Sequence, residues 1–286
     1  MPIQMMSPLA FMGVPTKLSF TIEPHITREI FFDDRIWQEY WISESCEMTV
    51  TGSPIDDCMI WLCGGGAKGR QAGGNRGGGG GGGGFIAKYE GSLSSSTITV
   101  GAGGTSGAGG ASSVVMEETT VLAEGGKQGE GTSSGGTGGS GGGAGSTLAG
   151  GVGNGQGETT IPFGDTDNFT DYWCPGGGAG GCAIRYYQSG ATTVFHGGNG
   201  GSNGSSGSSA TYVNSAGGIG GDTGGGNGGG CDDSIRSATA GTAGSTYGAG
   251  GGGGGGYFTD VPGETAMTMS SGDGYQGIVI IRVVRP

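Results

Sequence analysis

The sequence is short of the residues from which ordinary domains are built. In 286 residues it holds nine prolines, two histidines and 12 Lys plus Arg. Leu, Ile, Val and Phe are too few to line a conventional core along the whole chain, so such a core is expected only near the termini. No apolar run is long enough to cross a membrane, and no membrane insertion is expected. The first fifteen residues carry no basic stretch, so a cleavable signal peptide is not expected. No cation stands between Lys127 and Arg185, and the net charge is -12. An acidic chain without a Lys/Arg cluster is a poor partner for nucleic acid.

The marks of chemistry are scarce too. G-x-G-x-x-G patterns recur, as such a composition requires, but none sits at a strand-to-helix turn with an acidic partner downstream. Residues 64–70 lack the Gly-Lys-Ser/Thr ending of a phosphate loop. Asp165, Asp167 and Asp171 crowd one segment, yet the glycine and terminal Glu of a calcium loop are missing, and a solvated acidic loop is the better reading. Glu117-Glu118 and Asp232-Asp233 have no positioned partner for acid–base work. His25 and His196 lack the neighbours of a nucleophile triad. No enzyme activity, cofactor or metal is expected. The six cysteines, Cys46, Cys58, Cys63, Cys174, Cys182 and Cys231, are expected as reduced thiols filling small gaps. Were any pair bridged, Cys174 and Cys182, which flank a glycine-rich loop, would be it.

What the chain has is glycine, 77 residues of it, with uninterrupted runs at 77–84 and 250–256. Glycine loses more backbone freedom on folding than any other residue. Such a chain either leaves its glycines disordered or orders them where no side chain fits. Order is expected, because apolar strand-like segments interrupt the tracts and the glycines are phased. Residues 135–143, 197–202 and 217–222 repeat in steps of three. Three is the period of the polyproline-II helix, which rises about 3.1 Å per residue and has no internal hydrogen bonds. Its backbone groups all need outside partners. Too little proline and two glycines per triplet exclude collagen. Two bare faces allow neighbours at backbone distance, while Thr137, Ser140, Asn199, Ser202 and Asp222 on the third face suit solvent.

The fold class expected is all-β and irregular: a β-strand N-terminal part, then a stacked polyglycine-II helix sandwich, closed by a C-terminal strand. Aromatic and β-branched residues favour strand for 31–41. Strand segments alternate with glycine over 47–126, the helix bundle fills 127–274, and 277–284 is the closing strand. Its continuous apolar run implies cover on both faces, with pairing to an early strand such as 59–63. The organisation expected is an N-terminal segment, 1–46, and a glycine-rich domain, 47–286.

Ile60-Trp-Leu-Cys-Gly-Gly-Gly-Ala-Lys-Gly69, the glycine run entering Phe85-Ile86, and Ile98-Thr-Val-Gly-Ala-Gly-Gly104 carry a resemblance. Gly110-Ala-Ser-Ser-Val-Val115, Ala123-Glu-Gly-Gly-Lys127 and Gly277-Ile-Val-Ile-Ile-Arg282 extend it across roughly 48–283. The chain resembles a bacteriophage glycine-rich tail domain, and its polyglycine layers are similar to the tip adhesins of T-even-type long tail fibres. The resemblance implies a virion protein assembled in the host cytoplasm. It also implies a receptor-binding adhesin of the tail or fibre, with a host cell-surface receptor and other virion proteins as partners. A homotrimer is a candidate assembly. The alternative is a non-adhesive virion decoration, spike or tail-tip spacer.

Two groups of aromatics are candidate contacts. Tyr and Trp on loops held by a stiff scaffold give large contact area at low entropy cost, which singles out Phe169, Tyr172, Trp173, Arg185, Tyr186 and Tyr187 for the receptor. As plain capping residues of the bundle they fit equally well; Phe163, Tyr257 and Phe258 are expected to be caps. Phe31, Phe32, Trp37, Tyr40 and Trp41 lie in a stretch too short to bury them alone. Either a virion partner or the first strands of the glycine domain must cover them, and 1–46 is expected to be the attachment segment.

Overall fold

Alternating apolar and β-branched residues set a run of strands at the start of the chain. These are β1 (Lys17–Phe20), β2 (Ile26–Phe32), β3 (Arg35–Ile42), β4 (Cys46–Thr51) and β5 (Ile55–Cys63). Then come β6 (Ile86–Leu93), β7 (Ser96–Thr99), β8 (Ser112–Val115) and β9 (Thr120–Ala123). Short strands follow late in the chain: β10 (Ala183–Tyr186), β11 (Thr192–Phe195), β12 (Cys231–Asp232), β13 (Ser237–Ala238), β14 (Gly256–Thr259) and β15 (Met267–Thr268). The last is β16 (Ile278–Val284). The computed structural model describes residues 17–32, 34–52, 55–145, 150–153, 175–208, 217–232 and 234–284. It is all-β, and no α-helix occurs among the described residues.

Two five-stranded sheets, ordered β1-β4-β7-β8-β9 and β2-β3-β16-β5-β6, stack face to face. β16 lies between β3 and β5, antiparallel to both, with Ile280 opposite Trp41 and Trp61. Its apolar run is covered on both faces, as the sequence implies. Val279, Ile281 and Val283 join Ile60, Leu62, Met48, Ile98 and Val114 in the core between the sheets. On the other face Ile278 and Ile280 pack with Trp41, Trp61, Cys63 and Ile86. Residues 26–42 thus belong to the sheet that β5, β6 and β16 build.

The strands do not end at the sandwich. β5 runs on into the glycines after Cys63, residues 77–84 run straight into β6, and residues 269–277 into β16. Beyond the sandwich these segments become three-fold helices, and their hydrogen bonds rotate with a three-residue period. Gly78, Gly81 and Gly84 donate their N–H groups to the carbonyls of Gly254, Gly251 and Gly248 at 2.9, 2.8 and 2.7 Å. Gly79, Gly82 and Phe85 donate to Thr132, Lys127 and Glu124, and Gly80 and Gly83 to Gly143 and Ser140. The carbonyls of 78–83 accept in the same rotation from Gly181 and Gly178, from Arg70 and Ala67, and from Gly136 and Gly139. The run 77–84 therefore sits inside six neighbouring segments, each touching every third residue. None of these glycines has positive φ, so the three-residue turn is the left-handed polyproline-II form. Residues 248–256 and 176–182 are surrounded in the same way.

Close approach is what demands glycine here. A β-carbon on Gly80 would lie 2.0 Å from the Gly178 carbonyl oxygen, and one on Gly253 2.0 Å from that of Gly78. Such short Cα-to-carbonyl spacing is the geometry of Cα–H···O contacts. The outer triplets behave less simply than expected. Asn199 and Asp222 are exposed, but Ser140 is fully buried, its hydroxyl accepting from the Gly204 N–H at 3.0 Å. Asn199 Oδ1 accepts from Ile219, and Ser202 Oγ from Asp222, at 2.9 and 2.8 Å. At the slab's margin, side chains replace the backbone partners that a further helix would supply.

At the far end β11, β10, β14 and β15 form a small sheet in that order, with β10 and β14 parallel. This cap puts strands where the sequence reading has a helix bundle of glycine triplets and compact inserts, because four-residue strands leave almost no periodic signal. Tyr257 and Phe258, consecutive residues of β14 within this sheet, are both buried, as expected of capping residues; Phe163 lies outside the described residues. The cap also corrects the cysteine reading. Cys182, at the end of one glycine helix, is bridged to Cys231 at the start of β12, with Cα atoms 5.7 Å apart. The slab's register brings these two ends together at bonding distance; Cys174 lies outside the described residues. Cys46 and Cys58 are buried free thiols, and burial pushes Cys58 up to about 12; Cys63 is buried as well.

Candidate functional site

Arg185 and Arg236 are the only cations between Lys127 and Arg282, and the fold brings both to the capped end of the slab. Arg185 leaves the slab on β10 and donates from Nη2 to both Asp260 carboxylate oxygens at 3.2 and 3.0 Å. Its guanidinium lies 4.9 Å from the ring centre of Tyr187, and that of Arg236 lies 4.6 Å from the ring of Tyr186. Arg236 also pairs with Glu264, whose Oε2 accepts from Tyr257 at 2.7 Å and Thr259 at 2.9 Å. The β10–β11 hairpin closes through Gly190, where φ is +82° and a β-carbon would be strained.

The outcome is two clusters, Arg185 with Tyr187 and Asp260, and Tyr186 with Arg236 and Glu264, on opposite faces of the small sheet, because Arg185 and Tyr186 are consecutive on β10. Both tyrosines are half-buried, with one ring face given to an arginine. Arg236, Asp260 and Glu264 were not singled out from the sequence. The parallel pairing of β10 with β14 brings residue 260 beside residue 185, and no local spacing reports that. The isolation of two cations in a long acidic stretch was the one available signal.

Phe169, Tyr172 and Trp173, the other receptor-contact candidates, lie outside the described residues. The chain resumes at Pro175, whose ring stands with the Cys63 thiol around Gly248, 2.6 and 2.2 Å from the place of a β-carbon there. Cys63 is the last residue of β5. Pro175 is therefore at the sandwich end of the slab, while Arg185–Tyr187 are at the capped end.

The five N-terminal aromatics separate by strand face. Trp37 and Trp41 are buried in the chain's own sheet, and half-buried Tyr40 has its ring centre 5.1 Å from that of Phe20. Phe31 is 73% exposed and sits opposite Ile36, also exposed, on the β2–β3 hairpin. Phe32 ends β2. Trp61 and Cys63 of β5 and Ile86 at the start of β6, with Ile278 and Ile280 of β16, supply the cover for Trp41.

Beneath that hairpin runs a charged row. Glu39 and Arg282, cross-strand neighbours on β3 and β16, are both fully buried and form an ion pair. Arg28 donates to Glu39 Oε1 at 2.6 Å, and the Trp41 indole N–H donates to the same oxygen. The Arg282 guanidinium lies 4.9 Å from the Trp61 ring centre. Burial works against ionisation of Glu39, yet Arg282, the indole hydrogen bond and Arg28 outweigh it and hold the carboxyl below its ordinary value. This row is structural, since it lies inside the sheet.

No curated protein matches the chain. A family model described as a glycine-rich domain matches residues 44–284, from the turn before β4 to the last residue of β16. The chain belongs to that glycine-rich domain family.

Proposed function

We propose that the chain is a virion structural protein of a bacteriophage tail or fibre, most specifically an adhesin that holds receptor-contacting side chains on a rigid polyglycine slab. The observation that carries this reading is the continuity of strand into glycine helix. β5, β6 and β16 enter the slab without a linker, and successive residues of its central runs are tied to different neighbours, each neighbour taking every third residue. A scaffold so bound transmits position from one end to the other. The capped end is the receptor end, with Arg185 and Tyr187 on one face of its small sheet and Tyr186 on the other. Phe31 and Ile36 on the β2–β3 hairpin contribute to docking on a neighbouring virion protein. Tyr and Arg are the residue types that dominate recognition surfaces.

A second reading is a virion spacer without a receptor. It is favoured by the stacking of both tyrosines on arginines of the same chain, which uses one face of each ring internally. Adsorption of the labelled full chain to a panel of bacterial strains, with Tyr186→Ser/Tyr187→Ser as comparison, separates the two. Saturable binding that falls at least tenfold in the double variant supports the adhesin. Antibody labelling of particles without saturable binding to the strains they infect supports the spacer.

A further inference from the structure

The strands β7 and β8 also continue into the slab, as a hairpin of two short glycine helices, 101–104 and 107–110. Gly104 donates to Gly66 and accepts from Gly274, while Lys68 donates its backbone N–H to Gly107. There the hairpin turns back. The neighbouring helices continue past that level, to Gln71 on one side and Met269 on another, by a further turn of about 9 Å. One position of the helix lattice is therefore vacant over that last turn, which makes a cleft of about 210 Å³ in the side of the slab. Lys68, Arg70 and Gln71 line its floor, Gln128 and Ser271 its walls, and Ser106 the lip left by the hairpin.

The lining is held in place. Gln128 Nε2 donates to the Gly69 carbonyl at 3.0 Å, standing in for the N–H of the absent helix. Arg70 donates from Nε and Nη2 to the Gly129 carbonyl at 3.1 and 2.9 Å. Lys68 is paired with Asp273, and Gln71 donates to Thr268 at 3.1 Å. Two cations line this cleft, Arg70 held only by a carbonyl and Lys68 shared with the Asp273 carboxylate beside it, in a chain with 24 acidic residues against 12 basic.

We propose that this cleft binds a sugar unit bearing an anionic group. Hydroxyls and side-chain amides match a polyol, and Arg70, joined by Lys68 in exchange for part of its contact with Asp273, matches a carboxylate or phosphate. No aromatic or apolar side chain lines it, which disfavours a base or a peptide anchor. Its volume is below the roughly 300 Å³ at which drug-sized pockets begin, so it holds one ring of a longer chain. The proposal is independent of the receptor face at the cap and of any place on a virion.

The test is amide NMR titration of the full chain with methyl glucuronide, glucose 6-phosphate and methyl glucoside. Shifts of Gly69, Ser271 and the Gln128 side-chain amide with an anionic sugar, and not with the neutral one, are expected. The responding probe identifies carboxylate or phosphate. Lys68→Gln/Arg70→Gln should weaken binding roughly tenfold or more, since charge-assisted hydrogen bonds are about twice as strong as neutral ones. Ser106→Trp, a change on an exposed loop, should fill the lip and abolish it. Tyr186→Ser/Tyr187→Ser should leave it unchanged, so that loss of cell adsorption in that variant bears on the receptor face alone. No shifts with any of the three probes, equal shifts with the neutral sugar, or shifts that persist in Ser106→Trp would overturn the proposal.

Discussion

The two halves of this molecule hold together by different means, although the same strands run through both. In the sandwich, Ile60, Leu62, Ile98 and Ile281 exclude water from a two-layer core, and each buried side chain of this kind contributes about 1.5–3 kcal/mol. In the slab the interior is backbone, with Ala67, Ala144 and Ala179 among the few buried side chains between glycines. Its stability comes from the completeness of the hydrogen-bond lattice, since a buried unpaired group costs roughly 1–3 kcal/mol. A side-chain core adapts to small changes of volume by shifting rotamers. A backbone lattice has no rotamers to shift, so it tolerates almost nothing at its centre.

The sharpest way to break the comparison is to insert a side chain into the lattice. Gly80→Val and Gly253→Val each put a β-carbon 2.0 Å from a carbonyl oxygen of another helix. Moving that helix strands donors and acceptors on both, and its other neighbours must follow. Neither variant should yield soluble folded protein, as read by expression and circular dichroism. Near-normal melting of either would show that the runs are linkers.

The next effect belongs to the sandwich. Glu39→Gln leaves Arg282 buried without its counter-charge, and breaking a buried pair costs about 3–5 kcal/mol. The same group sets a pH dependence. Its folded pKa lies below the ordinary carboxyl value of 4.5, so its contribution is fully present above that value and is lost as pH falls through the folded pKa. Wild-type stability from chemical denaturation should decline below about pH 4.5, and the variant should lack that part of the decline. Identical acid sensitivity in both would remove Glu39 from the account.

Ile60→Ala should cost about 2–5 kcal/mol, a core truncation that leaves a cavity, and the protein should remain folded. Side by side with Gly80→Val, it separates a core that yields from a lattice that fails. Equal loss of folding in both variants would erase the distinction.

These contrasts bear on what could be read in advance. The strand pattern was legible because alternation and apolar runs are local: β5, β6 and β16 stand out by eye, and so does the cover on both faces of β16. The three-residue glycine register was legible for the same reason. What was not legible is non-local. The Cys182–Cys231 bridge and the approach of Asp260 to Arg185 follow from which helix lies beside which, and identical glycine triplets carry no label for their partners. Trp37 and Trp41 showed that something must cover them; that the chain itself does so depended on β3 pairing with the far C-terminal strand. Burial of Ser140 was missed because a hydroxyl that accepts from a neighbouring backbone looks the same in sequence as one facing water.

The smallest expected effect tests whether glycine is needed for space or for conformation. Gly74 sits in the turn at 73–76, closed by mutual hydrogen bonds between Gly73 and Arg76 at 2.9 and 3.0 Å. A β-carbon there meets nothing within 4 Å, but φ is +57°. Space is open and only the left-handed backbone is at issue, so Gly74→Ala should cost about 1–2 kcal/mol and leave the fold intact. Asn75, next in the chain, already holds φ of +63°, which shows that this turn accepts a residue whose short polar side chain tolerates the left-handed region. Gly74→Asn should therefore cost less than Gly74→Ala. Thermal melts of the two variants beside wild type check the order. A loss at Gly74→Ala as large as at Gly80→Val would mean that the turn, and not the lattice, sets the limit on the slab.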